Sequence, residues 1–377
     1  QEFEHVAAMA NVAGMDMEVL SAQEMQSKYY PWLETHDLTG GLWDSEDGDI
    51  DPAQLTQAFA KGARDKGARI ARFTKVTGLK QRLDGSYDVT TDKGNIHAQT
   101  VVNAAGYYAD EIGRMVGRDI PMVTMSHQYL VTEAIADLEG LDKSIPLLRD
   151  PDDSYYLRQE GNGLILGPYE WQATPHWLKE GTPDDFAFQL YPDDLDRLEW
   201  YINAACERVP MLAKGGVQKV INGPIPYAPD GLPLIGPAPG LTNLFEACVF
   251  TFGICQAGGA GKVIAEFITE GESELDLWMV DPRRFTDFAT KTYATMKAVE
   301  VYQNEYAMHL PHRPWPAGRP AKTSPLYETM RAGGAQFGSF GGWERPLWFA
   351  REGDRAEPDL THGKPHFDDA VAGEVKM

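Results

Sequence analysis

The chain has 377 residues, too many for one small hydrophobic core, and this predicts two or more domains. Its hydrophobic content of 43% and charged content of 24% are typical of a soluble globular protein. The formal net charge of −22 disfavours nucleic acids and anionic membrane surfaces as partners, because like charges repel. No apolar run reaches membrane-spanning length, and three cysteines, an odd number, favour a reduced setting in the cytoplasm or an organelle matrix such as that of mitochondria.

The first part of the chain predicts helices with clear N-terminal signals. Ser21 can cap a helix together with Glu24, three residues further on. Asp51 is predicted to cap a longer helix that begins at Pro52 and ends at Gly67. The alternating aspartates before this helix lack the glycine and the glutamate of a calcium loop, so we predict no calcium site there.

A β-region with a small-residue turn follows the first helices. A strand is predicted over residues 68–79, with hairpin turns after it, and a returning strand runs into Ala104, Ala105 and Gly106. Small residues directly after a buried strand allow another backbone, or a flat ligand, to come close. A helix packed over this turn is an alternative that the residues fit equally well.

A second, antiparallel sheet is predicted after residue 121. Its strands span residues 124–132, 155–159 and 163–167. A helix over residues 193–206 follows it. A further helical region over 283–306 leads into a proline-rich linker at 311–320.

Residues 222–271 contain a strand, a glycine-rich segment and a helix in succession. A mostly apolar strand over 244–250 is predicted to enter a glycine-rich loop over 253–261, which feeds a helix that stops at Gly271. The unpaired N–H groups at a helix start attract phosphate or a reduced cofactor ring, and glycines let the ligand approach. The alternative is a plain βα unit whose glycines serve tight packing, and this stretch by itself favours that alternative.

Several segments, taken together and in order, resemble one enzyme family. They are DGDIDP at 47–52, VVNAAG at 101–106, SHQYLVTE at 126–133, YLRQEG at 156–161, APDG at 228–231 and GGAG at 258–261. The combination is similar to the FAD-dependent dimethylglycine and sarcosine dehydrogenases of the D-amino-acid oxidase-like superfamily. Two later segments, SPLY at 324–327 and GGWERP at 341–346, resemble the start of the folate-binding aminomethyltransferase domain of that family.

The resemblance implies an α/β (α+β) fold, with a discontinuous FAD-binding domain and an inserted antiparallel substrate-binding sheet. The implied domains are 1–120 and 211–272 for FAD binding, 121–210 for the substrate sheet, 273–323 for a helical connector and 324–377 for the start of a folate domain. The family's strand–GxGxxG–helix, which holds the FAD pyrophosphate, does not occur in this sequence. We therefore expect a fragment of a longer polypeptide that binds FAD poorly when alone.

The implied reaction is the oxidative N-demethylation of sarcosine or dimethylglycine. Hydride passes from the N-methyl group to flavin N5, and the one-carbon unit passes to tetrahydrofolate. Oxygen or an electron-transfer flavoprotein would accept the electrons. Two alternatives stay open: a non-catalytic scaffold that docks a flavin-bearing chain or a folate domain, and a related amino-acid oxidase with another substrate.

The resemblance also implies three residues at the substrate. His127 is expected to accept the ammonium proton or hold the amine, and Tyr156 to orient the amine through its hydroxyl. Arg158 shares a strand face with Tyr156 and is expected to hold the substrate carboxylate. Each residue also has a purely structural alternative. His127 could be a sheet histidine with its hydrogen bonds satisfied, and Tyr156 could be an aromatic side chain that packs against a neighbouring strand. Arg158 could form a surface salt bridge to Glu133 or Glu160.

Cofactor contacts are expected from two groups of residues. Those on the dinucleotide side are Val76, Ala104, Ala105 and Gly106. Those beside the isoalloxazine ring are Gly253, Ile254, Gly258 and Gly259. No metal site is predicted, because the one close histidine pair, His309 and His312, flanks a linker and has no third ligand near it in sequence.

Overall fold

The structure is a computed structural model that describes residues 1–376. The helices are α1 (Glu2–Val12), α2 (Ala22–Glu24), α3 (Pro52–Asp65), α4 (Ala109–Arg114), α5 (Leu195–Arg208), α6 (Gly253–Thr269), α7 (Lys291–Gln303), α8 (Tyr327–Ala332) and α9 (Asp368–Val375). The strands are β1 (Met17–Leu20), β2 (Gly41–Asp44), β3 (Val76–Gln81), β4 (Tyr87–Thr91), β5 (Gly94–Ala98), β6 (Val101–Asn103), β7 (Val123–Thr132), β8 (Leu148–Asp150), β9 (Tyr155–Glu160), β10 (Gly163–Pro168), β11 (Thr174–His176), β12 (Val217–Tyr227), β13 (Leu234–Pro237), β14 (Leu244–Cys248), β15 (Ala335–Phe340) and β16 (Trp343–Phe349). In the part of the chain described, no helix is both long and apolar enough to span a bilayer.

The largest sheet has six strands and is built around β7. β7 pairs antiparallel with β12 on one side and with β10 and β11 on the other, and β9 and β8 continue the sheet beyond β10. Alternate residues of a strand point to opposite faces. Leu130 therefore packs with Leu198 of α5 on one face, and Met125 packs with Ala298 of α7 on the other. Both faces of β7 are thus covered, which explains why most of the strand is buried.

A smaller sheet, ordered β13–β14–β6, carries the strand and helix of the glycine-rich segment. β14 and β6 are parallel, so their carboxyl ends lie at the same edge. Residues 104–106 follow β6 at this edge, and the chain leads from β14 into α6. α6 packs on the sheet through Ala260, Val263 and Ile264, which form a core cluster with Ile235 of β13.

The remaining strands form three separate small units. β3, β4 and β5 make a three-stranded antiparallel sheet, β1 pairs with β2, and β15 pairs with β16. With the two larger sheets and the helices, they confirm the α/β (α+β) class predicted from the sequence.

The predicted helix starts are confirmed in detail. Ser21 and Glu24 form a reciprocal capping box, with the Glu24 N–H donating to Ser21 Oγ at 3.2 Å. Asp51 Oδ1 accepts the Gln54 N–H at 2.7 Å, and Pro52 is the first residue of α3. These signals are local side-chain-to-backbone hydrogen bonds, which is why the sequence alone reveals them.

Two predicted element bounds need correction. The glycine-rich loop predicted over 253–261 is wrong, because α6 begins at Gly253 and includes Gly258 and Gly259. A glycine costs a helix roughly 1 kcal/mol relative to alanine, and burial of the apolar face of α6 outweighs that cost here. The predicted strand over 68–79 begins only at Val76. β12 belongs to the same sheet as β7, because it pairs along the length of that strand.

A buried ion pair fixes the segment between α4 and β7 against β14. Arg118 Nε donates to Glu246 Oε1 at 2.9 Å, and Glu246 is fully buried. Removing one partner of such a pair leaves the other charge buried and uncompensated. We expect Arg118→Ala to lower the free energy of unfolding by about 3–5 kcal/mol, measured by thermal and urea unfolding.

The control for this prediction is Arg331→Ala, which breaks the exposed pair of Arg331 with Glu328. An exposed pair contributes roughly 0–1 kcal/mol, so the midpoint of unfolding should hardly move. Equal losses in the two variants would contradict the role given to Arg118.

Candidate active site

The α7-covered face of the six-stranded sheet holds the two side chains expected to act on a substrate. His127 of β7 and Tyr156 of β9 both lie on it, as their contacts with the cluster around Tyr302 of α7 show. Each faces a glycine on the neighbouring strand: Gly223 is opposite His127 and Gly167 is opposite Tyr156. The Tyr156 ring lies directly over Gly167, where any Cβ would collide with it. The sequence periodicity thus brings both side chains to one face, and the glycines leave room around them.

His127 lies against two tyrosine rings. Its Nδ1 is 3.1 Å from the hydroxyl of Tyr302, and the centroid of its ring is 4.6 Å from that of Tyr169. The side chain keeps some exposed surface, although the dense protein around the ring lowers its pKa to about 4, with a smaller contribution from Arg197. The imidazole is therefore neutral at neutral pH, and the lone pair on one of its ring nitrogens can accept a hydrogen bond.

Behind His127 the hydrogen bonds continue into the protein. The Tyr302 hydroxyl donates to the carboxylate of Glu170, which is fully buried two residues after the end of β10. Arg197 of α5 donates to the other oxygen of Glu170 at 2.9 Å and to Ser126 Oγ at 3.1 Å. Burial raises the pKa of Glu170, and the Arg197 guanidinium opposes this by favouring the ionised carboxylate.

Tyr156 belongs to an aromatic wall that extends to the start of α6. Its ring centroid is 6.5 Å from that of Tyr306, and Tyr306 lies 4.8 Å from Tyr169. Tyr169 in turn lies 6.4 Å from Phe252, the residue before α6. Burial raises the pKa of Tyr156 to about 12, so its hydroxyl keeps its proton at neutral pH. The wall, which we define as Tyr156, Tyr169, Tyr302, Tyr306 and Phe252, connects the sheet with the helix start.

Two arginines share this face of the sheet with Tyr156. Arg158 is bound to Asp49 at 3.0 Å and to Glu160 at 2.7 Å, so the salt bridge to Glu160 considered from the sequence is present. Arg149 lies directly opposite Tyr156 on β8, is exposed, and stacks its guanidinium over the Tyr306 ring at 4.6 Å. Among residues 1–376 no carboxylate lies within salt-bridge distance of Arg149. Arg158 as the carboxylate ligand stays a prediction, and Arg149 is a second cation for that role.

The first turn of α6 has features that fit a flavin. Phe252 provides no side-chain cap, so the first N–H groups of the helix lack a side-chain partner. Gly253 and Ile254 lie in this turn, and the Ile254 side chain is 43% exposed. Gln256 Oε1 is buried without a hydrogen-bond partner in the described part of the chain. A positive helix end, an exposed apolar side chain and an orphaned acceptor suit an electron-rich aromatic ring with polar edges.

Gly258 and Gly259 lie in the second turn of α6, and both are exposed. A Cβ at Gly259 would meet no atom within 4 Å, and one at Gly258 would meet only Phe59 of α3, at 3.9 Å. This surface is open to close approach by a ligand or by another part of the polypeptide. The residues therefore fit the cofactor position expected from the sequence, but as part of a helix and not of a loop.

The turn after β6 lies at the same sheet edge as the start of α6. Asn103 holds this turn, with its side-chain amide donating to the Ala109 carbonyl at 2.9 Å and accepting the Ala105 N–H at 3.3 Å. Gly106 has a positive φ of 59° and open space at its Cβ position. In open α/β sheets, ligands bind at the carboxyl edge of parallel strands. The structure thus brings the turn that contains Ala104 together with the start of α6, whereas it places Val76 in the separate β3–β4–β5 sheet.

Sequence reasoning missed the side chains that surround His127. Tyr302 and Tyr306 are four residues apart near the end of the predicted helical region, a spacing that predicts one shared helix face, although α7 ends before Tyr306, at Gln303. Glu170 lies two residues after an apolar strand, and a charged residue there is a weak signal of function. Among residues 1–376 no group of three His, Cys, Asp or Glu side chains could hold a metal ion.

Comparison with known proteins reveals similarity along the whole chain. The family model for "FAD dependent oxidoreductase" matches residues 1–267, and the one for "FAD dependent oxidoreductase central domain" matches residues 270–324. The chain is 37% identical to human mitochondrial dimethylglycine dehydrogenase over all of this chain and 44% of that protein. It is 36% identical to human mitochondrial sarcosine dehydrogenase over 93% of this chain and 38% of that protein.

Two further similarities bear on function and fold. The mouse mitochondrial pyruvate dehydrogenase phosphatase regulatory subunit is 30% identical over 97% of this chain and 42% of that protein. The crystal structure of L-proline dehydrogenase from P. horikoshii superposes with a TM-score of 0.64 at 26% identity, covering 75% of this chain and 72% of that one. The chain spans less than half the length of the three curated relatives.

Glu305 gives the site a pH dependence that can be tested. It accepts the Tyr227 hydroxyl at 3.0 Å, and burial raises its pKa from 4.5 to about 7 against the opposing effects of this hydrogen bond and of Arg149. Between these pH values the folded protein binds more protons than the unfolded chain, so stability falls as pH rises through this window. Glu305→Gln cannot titrate but keeps an acceptor for Tyr227.

We expect Glu305→Gln to become more stable relative to the unchanged protein as pH rises from 5 to 8, by up to about 3 kcal/mol. Midpoints of thermal unfolding at the two pH values measure the effect. Glu328→Gln, at an exposed position, is the control and should show no such trend. A difference for Glu305→Gln that does not depend on pH would contradict the raised pKa.

Proposed function

Because the chain belongs to the family of FAD dependent oxidoreductases, we propose that it forms the flavin and substrate site of an enzyme that oxidises the N-methyl group of a small amino acid. Family membership confirms the resemblance drawn from the sequence, the D-amino-acid oxidase-like fold and FAD as cofactor. Sarcosine and dimethylglycine are the substrates we favour, since dehydrogenases named for both are similar to most or all of the chain.

Support comes above all from the arrangement of His127 and Tyr156. Both lie on one face of the sheet, and the aromatic wall connects this face with the uncapped start of α6. A proton acceptor, a hydroxyl donor and a site suited to a flat electron-rich ring are thus parts of one region. Oxidation of an amine by a flavin needs these elements in fixed positions.

FAD, when bound, supplies the acceptor for the hydride of the N-methyl group. Gly253, Ile254 and Gln256 at the start of α6 would hold its ring, and the turn after β6 would face its dinucleotide side. His127, neutral at neutral pH, accepts a hydrogen bond and then a proton from the substrate ammonium. Tyr156, whose hydroxyl keeps its proton, donates a hydrogen bond that orients the substrate. The aromatic wall limits the access of water to the amine.

The rest of the implied activity belongs to the same proposal. The one-carbon unit would pass to tetrahydrofolate bound elsewhere in the protein, and an electron-transfer flavoprotein or oxygen would take the electrons. The compartment we favour is reduced, either the cytoplasm or the mitochondrial matrix, and the two human relatives carry "mitochondrial" in their names.

A second function is favoured by a specific observation. One relative of 30% identity is a regulatory subunit by name, so the same fold could act as a scaffold that docks another chain. Anaerobic titration of the FAD-loaded protein with glycine, sarcosine, dimethylglycine and proline separates these functions. Bleaching of the flavin by an N-methyl amino acid supports the enzyme, bleaching by glycine or proline alone indicates another amino-acid oxidase, and no bleaching indicates the scaffold.

His127→Asn should slow this flavin reduction by about 100- to 10,000-fold, the usual contribution of a general base. His309→Asn, at an exposed position away from the sheet, is the matched control and should leave the rate unchanged. Equal rates in the two variants would remove His127 from the reaction.

Arg149 is the residue we propose to hold the substrate carboxylate. Arg149→Ala should weaken the binding of dimethylglycine or sarcosine by about 10- to 100-fold, because a charge-assisted hydrogen bond contributes about 1.5–3 kcal/mol. Arg158→Ala is the comparison, and a small effect is expected because Asp49 and Glu160 already engage its guanidinium. Substrate KM values and flavin titrations measure both. A larger effect at Arg158 would instead support the prediction made from the sequence, that Arg158 holds the carboxylate.

A further inference from the structure

His127 ends a buried chain of hydrogen bonds that begins at a permanent charge. From the interior outward, Arg197 donates to Glu170, Tyr302 donates to Glu170, and the hydroxyl of Tyr302 lies 3.1 Å from His127 Nδ1. These groups come from different elements: Arg197 from α5, Tyr302 from α7, and Glu170 from the segment after β10. They are the charged and titratable groups packed against His127, together with Tyr169, whose ring stacks on the imidazole.

The positions of the protons in this chain follow from the donor and acceptor inventory. Arg197 has only donors. Glu170 is ionised beside it, since a neutral acid would leave the guanidinium buried without a counter-charge. An ionised carboxylate has no proton to give, so the single proton of the Tyr302 hydroxyl goes to Glu170. The Tyr302 oxygen can then interact favourably with His127 only as an acceptor, which requires a proton on Nδ1.

A neutral imidazole carries one N–H, so a proton on Nδ1 leaves Nε2 as a bare lone pair. Nε2 lies on the side of the ring away from Tyr302, and in the described residues it has no hydrogen-bond partner. It is therefore the atom that can receive a proton from a substrate. The opposite tautomer would present an N–H at this position, and a substrate ammonium would be repelled by a donor instead of meeting an acceptor.

We propose that Glu170 and Tyr302 are positioning residues that hold His127 in the Nδ1–H tautomer, so that Nε2 is the proton acceptor for the substrate ammonium. The proton-acceptor part rests on the function proposed above. The step is a simple proton transfer: the N–H bond of the ammonium breaks, a bond from Nε2 to that proton forms, and the amine keeps its lone pair. The resulting imidazolium is stabilised by the Nδ1–H donated to Tyr302, which is in turn bound to the Glu170 carboxylate.

The tautomer can be measured without any turnover. In the protein labelled with ¹⁵N at its nine histidines, proton-detected NMR at pH 7 identifies which ring nitrogen of each histidine carries the proton. His127→Asn assigns the His127 signals by their disappearance. We expect Nδ1 of His127 to carry the proton and Nε2 to be bare. A proton on Nε2 would overturn the proposal, because it would mean that Glu170 is protonated and the whole chain runs in the opposite direction.

Tyr302→Phe tests the positioning role with the ring retained. It removes the acceptor for Nδ1–H, so the His127 signals should shift toward a mixture of the two tautomers. Flavin reduction by dimethylglycine or sarcosine should slow by about 10- to 100-fold, as is usual when an outer partner of a functional histidine is lost. Tyr293→Phe on the same helix is the matched control and should change neither the tautomer nor the rate. An unchanged tautomer in Tyr302→Phe would also overturn the proposal.

Two outcomes separate this inference from the proposed function. If the His127 tautomer is as expected but no amine bleaches the flavin, the positioning by Tyr302 and Glu170 stands, and the proton-acceptor role falls with the proposed function. If amines bleach the flavin but the proton lies on Nε2, the proposed function stands and this inference is wrong.

Discussion

The register of β7 between two helices is the constraint on which the rest of the site depends. Its side chains alternate between α5 and α7, so Leu130 enters one core cluster while His127 meets Tyr302 on the other face. A slip of one residue would turn His127 toward α5 and put Ser126 or Gln128 in its place. The ten pairs with β12 and the buried leucine contacts on the α5 side fix this register. Packing on one face thus positions chemistry on the other.

The same arrangement explains why a charged pair lies so deep in the protein. Arg197 and Glu170 are costly to bury, and apolar residues of similar volume often stabilise a fold as well or better. The pair has a use here, because its carboxylate sets the direction of the hydrogen bonds that reach His127. Tyr302 carries this effect across the boundary between the sheet and α7. The helix lies in the segment that the central-domain model matches, so that segment contributes a side chain to the site.

The sequence alone predicted those parts of this arrangement that depend on interactions between residues close in sequence. The caps at Ser21 and Asp51 are side-chain contacts within three residues, and the shared face of Tyr156 and Arg158 follows from strand periodicity. Gly258 and Gly259 led to the wrong prediction of a loop. Glycine has a low helix propensity, but the packing of α6 on its sheet stabilises a helix there. The contact of His127 with Tyr302 joins residues 175 positions apart, and no local pattern specifies it. Arg149 was missed for a similar reason, since its place opposite Tyr156 depends on strand pairing.

The distribution of charge around the site determines how a zwitterionic substrate can lie in it. Burial keeps His127 and Tyr156 neutral near pH 7, and Glu170 is matched by Arg197 behind the histidine. An exposed cation on the same face is Arg149, on the outer strand β8, with its guanidinium over the Tyr306 ring of the aromatic wall. A carboxylate is therefore drawn to the rim at Arg149, and the ammonium group can bind Nε2 of His127, an acceptor that has no hydrogen-bond partner among residues 1–376. In an N-methyl amino acid the carboxylate and the amine nitrogen are bonded to the same carbon, so holding both groups orients the N-methyl group, and the aromatic wall leads from there to the start of α6, where a flavin ring fits.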